Sequence, residues 1–302
     1  MLIELVKNFV QRVNKDKLPL IGVLVTNGED VLFEHTFKEV DTRNIFSHSK
    51  SFTSIAIGKA VEQGYISLDT KVTDVFKDEL DGSEDPRLKE IELRHLLTMS
   101  SGFDSPLLFN LVKGGLEGYP DYLKYMLSQK VKVDPGSKFF YSNGDIYLAT
   151  RMVEKRLGKP FQLWLFDEIF TPLGMGNPVV QTDLQGRVFG ASGYHLSLKN
   201  QAKIANFLLK CPKTPYFEQM KRAMINTGAD SLSDGYGYQF WVSSEYGTYR
   251  ADGMFGQVTM VFESLGLAVS YQCMDDTNQD LVLKTFEDEV LKPLKNKCKD
   301  VK

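Results

Sequence analysis

Ser47-His48-Ser49-Lys50 sets a hydroxyl and an amine three residues apart, just ahead of the small, apolar run Phe52-Thr53-Ser54-Ile55-Ala56-Ile57-Gly58-Lys59-Ala60. Residues three apart share a helix face, so the amine can reach the hydroxyl. A serine hydroxyl is a weak nucleophile at neutral pH, and a lysine becomes its base where burial or a nearby cation lowers its pKa. A helix starting at the serine adds unpaired N–H groups that stabilise an oxyanion formed there. Ser47 is therefore a candidate nucleophile and Lys50 its candidate base. The run that follows has the composition of a buried central helix. For the pair taken alone, a helix-capping serine and a surface lysine is the structural alternative.

A second group lies in Asp134-Pro135-Gly136-Ser137-Lys138-Phe139-Phe140-Tyr141-Ser142-Asn143-Gly144. Pro-Gly sets a turn, the two phenylalanines suggest a short buried segment, and a helical run follows from Asp145 to Leu157. A tyrosine beside a lysine can act as a phenolate or relay the serine proton to a leaving group. The asparagine offers a donor and an acceptor to hold an amide-like substrate or the lysine. A hydrogen-bonded buried tyrosine and a helix-capping asparagine would explain the same residues structurally.

In this order and spacing the chain resembles the class C β-lactamase-like serine hydrolases. That family includes penicillin-binding proteins, D-alanyl-D-alanine carboxypeptidases and esterases, and Ser-x-x-Lys marks its nucleophile. Further stretches resemble family landmarks: Ile91 to Gly102, Thr171-Pro172-Leu173-Gly174-Met175, Ala191 to Ser197, and Tyr236-Gly237-Tyr238-Gln239-Phe240-Trp241. The resemblance covers most of the chain. It implies Ser47 as nucleophile, Lys50 as its base partner and Tyr141 as a second proton-transfer group. It also implies that Asn143 binds substrate and that His195 lines the cleft.

The third family motif, a basic residue two positions before a glycine on a cleft strand, is altered here. Tyr249-Arg250-Ala251-Asp252-Gly253-Met254 keeps Gly253 but has Ala251 where the basic residue would stand. Glycine suits a strand whose backbone must approach a substrate closely. The resemblance makes the Met254 amide the second oxyanion donor, beside that of Ser47. Without the basic residue, carboxylate-bearing substrates fall behind neutral esters and amides. Because strand neighbours alternate faces, Arg250 is expected to point away from the Ala251 side, and Asp252 to pair with a surface cation.

These groups need a scaffold. Leu20 to Val25 and Val31 to Phe37 are apolar, β-branched runs joined across Asn27-Gly28, a strong hairpin signal. Gly247 to Ala251, Gln257 to Phe262 and Leu267 to Cys273 read as three more strands, with an amphipathic helix at each end of the chain. The expected fold is α+β, β-lactamase/transpeptidase-like: a five-stranded antiparallel sheet flanked by terminal helices, with a large, mostly helical insertion. Residues 1–46 and 225–302 would form the sheet domain and 47–224 the helical domain, with the active-site cleft between them. Leu107 to Val112 is a candidate lid, and the glycine-rich Lys113 to Gly118 reads as a turn.

The 302 residues are enough for a sizeable core. With 36 Lys plus Arg against 39 Asp plus Glu and no basic stripe, nucleic acid is not an expected partner. No stretch has the uncharged length of a membrane span, and Met1 to Val10 lacks the features of a signal peptide, which predicts a cytoplasmic enzyme. Cys211, Cys273 and Cys298 form no Cys-x-x-Cys and read as reduced thiols. The four histidines lack metal-ligand spacing, so neither metal nor other cofactor is expected. His48 and His95 read as structural.

The expected activity is that of a serine hydrolase acting through an acyl-enzyme on a small ester, amide or β-lactam. The altered third motif keeps one alternative open, a catalytically weak or inactive relative acting as a binding or regulatory module.

Overall fold

Leu2, Leu5, Val6, Phe9 and Val13 recur at helical spacing and bury one stripe of α1 (Leu2–Asp16). The helix stops at Lys17, whose left-handed backbone (φ 52°) turns the chain into β1 (Leu20–Thr26). The structure is a computed structural model that describes residues 1–109, 121–176, 178–274 and 278–299. The candidate turn at 113–118 lies outside the described residues, as do positions 110–112 of the candidate lid.

β1 is buried along its whole length, as its apolar run LIGVLVT requires for a strand covered on both faces. It pairs antiparallel with β2 (Val31–Thr36), whose outer side is largely exposed. The tight turn between them works because Asn27 Oδ1 accepts the amides of Glu29 and Asp30 while Gly28 takes φ 88°. A short strand β3 (Arg43–Asn44) then leads through a single 3₁₀ turn, Phe46–His48, into helix α2 (Ser49–Glu62). Farther on come α3 (Asn143–Leu157) and β4 (His195–Leu196), which pairs with β3.

The C-terminal third supplies β5 (Ile225–Asn226), β6 (Gly235–Tyr236), β7 (Trp241–Ser243), β8 (Thr248–Gly253), β9 (Gln257–Phe262) and β10 (Leu267–Cys273), then α4 (Gln279–Phe286). The main sheet runs β2-β1-β10-β9-β8-β7-β6-β5, every described pairing antiparallel. The α+β arrangement expected from the sequence is present, but the sheet has eight strands, not five. The three additions, β5, β6 and β7, are two or three residues long, too short to carry a period-two pattern.

Two apolar clusters cover the faces of this sheet. Phe9 of α1 and Phe286 of α4 meet Tyr271 on one face. On the other, Phe52 and Ile55 of α2 join Ile146 and Met152 of α3 with Ala251 and Val261 of the sheet. Every residue of α2 from Ser49 to Gly58 is buried. The hydroxyls this helix carries inward are each bonded. Ser51 donates to the Gln239 carbonyl, Thr53 to that of Gly190 and Ser54 to that of Tyr238, while Ser49 accepts the Tyr194 amide. A buried hydroxyl left unbonded would cost stability, so these bonds fix both the depth and the rotation of α2.

Candidate active site

Ser47 sits in the 3₁₀ turn that opens α2, and Lys50 follows one turn later on the same face. Lys50 Nζ is 2.9 Å from Ser47 Oγ, 2.7 Å from Asn143 Oδ1 and 2.7 Å from the Ala191 carbonyl oxygen. The lysine is essentially buried, and desolvation holds its amine well below the usual value of 10.5. Two of its three neighbours can only accept. A neutral amine therefore gives its two N–H groups to Asn143 and Ala191, and its lone pair is left for the Ser47 O–H. The local bonding thus orients the lysine as an acceptor toward the serine.

Asn143 is held for this task. It opens α3, where Ser142 caps the helix by accepting the Gly144 amide, and its Nδ2 donates to the Leu108 carbonyl. The segment before it is anchored by Phe140 N to the Met99 carbonyl. Tyr141 and Ser47 line the same cavity, where the serine hydroxyl acts to lower the phenol pKa. The Tyr141 ring stacks on Trp241, with centroids 5.5 Å apart and 14° between planes, while Phe109, Phe139 and Tyr236 surround it. Burial among these rings raises the phenol pKa, and the nearby Asp252 carboxylate adds to the rise, so Tyr141 stays a neutral O–H. This favours the relay over the phenolate.

Across the site, the β8–β9 turn closes on the Phe46–His48 turn. A Cβ on Gly253 would lie 2.1 Å from the Ile45 carbonyl oxygen and 3.1 Å from the His48 amide nitrogen. The glycine is thus required by contact between two backbones, where the sequence suggested contact with a substrate. Phe46 and Phe255 both adopt left-handed backbone (φ 48° and 65°), and their rings meet edge to face at 5.1 Å. They immediately flank Ser47 and Met254, the two candidate oxyanion donors. A left-handed non-glycine residue costs roughly 1–2 kcal/mol, so the ring contact holds a strained pair of turns together.

Ser47, Tyr141, Gly253 and Met254 line one cavity of about 300 Å³. His195 does not line it. It lies in β4, paired with Asn44, its Nδ1 3.2 Å from the Gly193 carbonyl. His48 turns to the sheet, with Nε2 3.0 Å from Thr259 Oγ1, and burial pulls its pKa down to about 3. His95 accepts the Glu92 amide at the start of its own short helix.

The expectation for Asp252 fails. Arg250 and Asp252 do face away from the Ala251 side, yet that face forms part of the cavity wall. Asp252 pairs not with a surface cation but with Arg250 Nε at 2.9 Å, and the guanidinium is only 5 % exposed. Arg250 also donates to the Leu232 carbonyl and to Ser233 Oγ, and lies over the Trp241 ring. Trp241, Asp230 and Asp280 line the same cavity and were not singled out as site residues from the sequence. The i, i+2 spacing of Arg250 and Asp252 gives their common face; only the packing of β7 and α4 beside it reveals a cavity there.

The sequence profile of the beta-lactamase family matches residues 5–291. Among curated relatives, a "Probable fimbrial assembly protein FimD, serogroup H1" of Dichelobacter nodosus is 33% identical over 121 residues, 38% of this chain and 29% of that protein. A lovastatin esterase of Penicillium rubens is 28% identical over 171 residues, 49% of this chain and 43% of the esterase. The matched stretches thus span less than half the length of either relative. The octameric penicillin-binding protein homologue from Pyrococcus abyssi superposes with a TM-score of 0.73 at 20% identity, covering 94% of this chain and 75% of that one, a likeness of fold.

Proposed function

From the premise that this chain belongs to the beta-lactamase family, a family of serine-dependent hydrolases by its resemblance, we propose that it is a serine hydrolase acting through an acyl-enzyme on a small ester, amide or β-lactam. The observation that carries this reading is the Lys50 amine, 2.9 Å from Ser47 Oγ with its two N–H groups directed to Asn143 and Ala191.

In the proposed cycle Ser47 Oγ bonds to the acyl carbon as its proton moves to Lys50 Nζ. The carbonyl oxygen becomes an oxyanion, held by the backbone N–H groups of Ser47 and Met254. The bond from the acyl carbon to the leaving group then breaks, and the leaving group receives a proton through Tyr141. Water attacks the resulting ester, giving a proton back through the same Lys50–Tyr141 pair, and the acid departs with Ser47 restored. Asn143 orients Lys50. Since all three Arg250 nitrogens are engaged and Ala251 brings no charge, substrates without a carboxylate suit the cavity better.

Intact-mass spectrometry after separate exposure to a fluorophosphonate, benzylpenicillin and p-nitrophenyl butyrate tests this. The expected result is a covalent adduct with the fluorophosphonate and turnover of the ester. Both disappear in Ser47→Ala, with ester turnover down by on the order of a thousandfold or more. Absence of any adduct on the unmodified protein would transfer the reading to a non-catalytic binding module, and turnover that survives Ser47→Ala would refute Ser47 as the nucleophile.

A further inference from the structure

The cavity lining carries charge that the proposed reaction does not use. Among the described residues, three carboxylates line it, Asp230, Asp252 and Asp280, against a single guanidinium, Arg250. That leaves an excess of two negative charges when all are ionised. Each Arg250 nitrogen already has a partner, one being Asp252 Oδ2. Among the described residues Asp252 Oδ1 accepts no hydrogen bond. Asp230 and Asp280 line the cavity and are exposed to solvent: one follows β5, the other lies in the first turn of α4.

The position of Asp252 gives this charge a direction. It precedes Gly253 on β8 and stands two residues before Met254, whose amide is a candidate oxyanion donor. A group binding Asp252 is therefore close to the carbonyl under attack. A carboxylate there would meet an uncompensated acidic wall, whereas an ammonium would meet a free carboxylate oxygen in a partly desolvated site, where charge-assisted hydrogen bonds are strongest.

We infer that the cavity takes an acyl group bearing a protonated primary amine a few bonds from the carbonyl, with Asp252 as its direct partner and Asp230 and Asp280 drawing the cation in from solvent. This rests on Ser47 being the acylated residue, and it names the substrate class for that site: amino-acyl esters or amides.

The test compares p-nitrophenyl β-alaninate with p-nitrophenyl butyrate, which replace ammonium by methyl at equal chain length, and with the p-nitrophenyl monoester of succinic acid. The expected kcat/KM is about ten- to a hundredfold higher for the β-alanyl than for the butyryl ester, with the succinyl ester slowest. In Asp252→Asn the β-alanyl to butyryl ratio falls toward one. Because that change also touches Arg250, the exposed pair Asp230→Asn/Asp280→Asn provides a second reading, in which the ratio falls severalfold and loses its salt dependence. Equal or faster butyryl hydrolysis by the unmodified protein, or a ratio unchanged in both variants, overturns the proposal while leaving the serine mechanism standing. If neither ester is turned over, the serine mechanism fails. The subsite is then decided by NMR titration with β-alaninamide against butyramide: tighter amide-amine binding that is lost in Asp252→Asn supports it, and equal binding overturns it.

Discussion

Two buried ionisable groups beside the cavity solve the problem of burial differently. Lys50 loses its proton readily and finds acceptors for the N–H groups that remain. Asp145, in the first turn of α3, holds its proton more tightly: burial raises its pKa from 3.8 to about 7, although Ser101 donates to Oδ1, and among the described residues Oδ2 has no partner. An acid whose pKa is raised by folding binds its proton more tightly in the folded chain. The stability it supports is complete below about 3.8 and is lost as pH climbs through about 7. Asp145→Asn should therefore gain on the unmodified protein between pH 4 and pH 8, by on the order of a few kcal/mol at one pKa unit per 1.36 kcal/mol. Urea unfolding midpoints at the two pH values measure this. Parallel pH profiles for the two proteins would show that Asp145 does not carry the penalty.

At the scale of elements, the site depends on how closely the β8–β9 turn meets the turn before α2. Gly253→Ala puts a methyl group against the Ile45 carbonyl, and it should cost roughly 1–3 kcal/mol or more of stability together with most esterase turnover. Gly266→Ala is the control. That glycine lies in a turn (φ 62°), but among the described residues no atom beyond its chain neighbours comes within 4 Å of an added Cβ, so only the left-handed backbone's cost of roughly 1–2 kcal/mol remains. Thermal unfolding and ester hydrolysis on both variants separate the two. A Gly253→Ala enzyme as active and stable as Gly266→Ala would mean that the turns are not in register-defining contact. The short strands β5 to β7 are the part of this scale that the sequence hid. Their two- and three-residue lengths give no alternation to read, and they exist because each pairs with its neighbour in space.

For the whole molecule, we propose the division into a sheet part, residues 1–46 and 225–302, and a helical part, 47–224, meeting at the candidate site. Support comes from the cavity wall itself, which draws on Ser47 and Tyr141 from one part and on Asp252, Tyr271 and Leu283 from the other. Phe9 of α1 touches Tyr271 and Phe286, while Tyr271 and the α4 residues Asp280 and Leu283 line the cavity, so the terminal helices pack against its wall. Phe9→Ala should cost roughly 3–5 kcal/mol and lower the stability of both parts together. The chain has two tryptophans, so a Trp164→Phe background leaves Trp241 beside the cavity as the sole indole. Denaturation followed by Trp241 fluorescence and by far-ultraviolet circular dichroism should give coincident curves. Separate transitions would mean that the two parts unfold independently.

The sequence alone carried those features that depend on neighbours a few residues apart. The three-residue step from Ser47 to Lys50, the Asn-Gly hairpin and the terminal amphipathic helices are local geometry, and so was the alternation placing Arg250 and Asp252 on one face. Tertiary structure decided what depends on distant parts meeting: that Asn143 and the Ala191 carbonyl take both lysine N–H groups, that Gly253 faces a backbone carbonyl, and that His195 stands outside the cavity. It also decided that the face carrying Asp252 is a cavity wall. Charge on a strand can be read along the chain, but whether water, a surface cation or a substrate meets it is set by the elements packed around it, here β7, α4 and the Phe46–His48 turn.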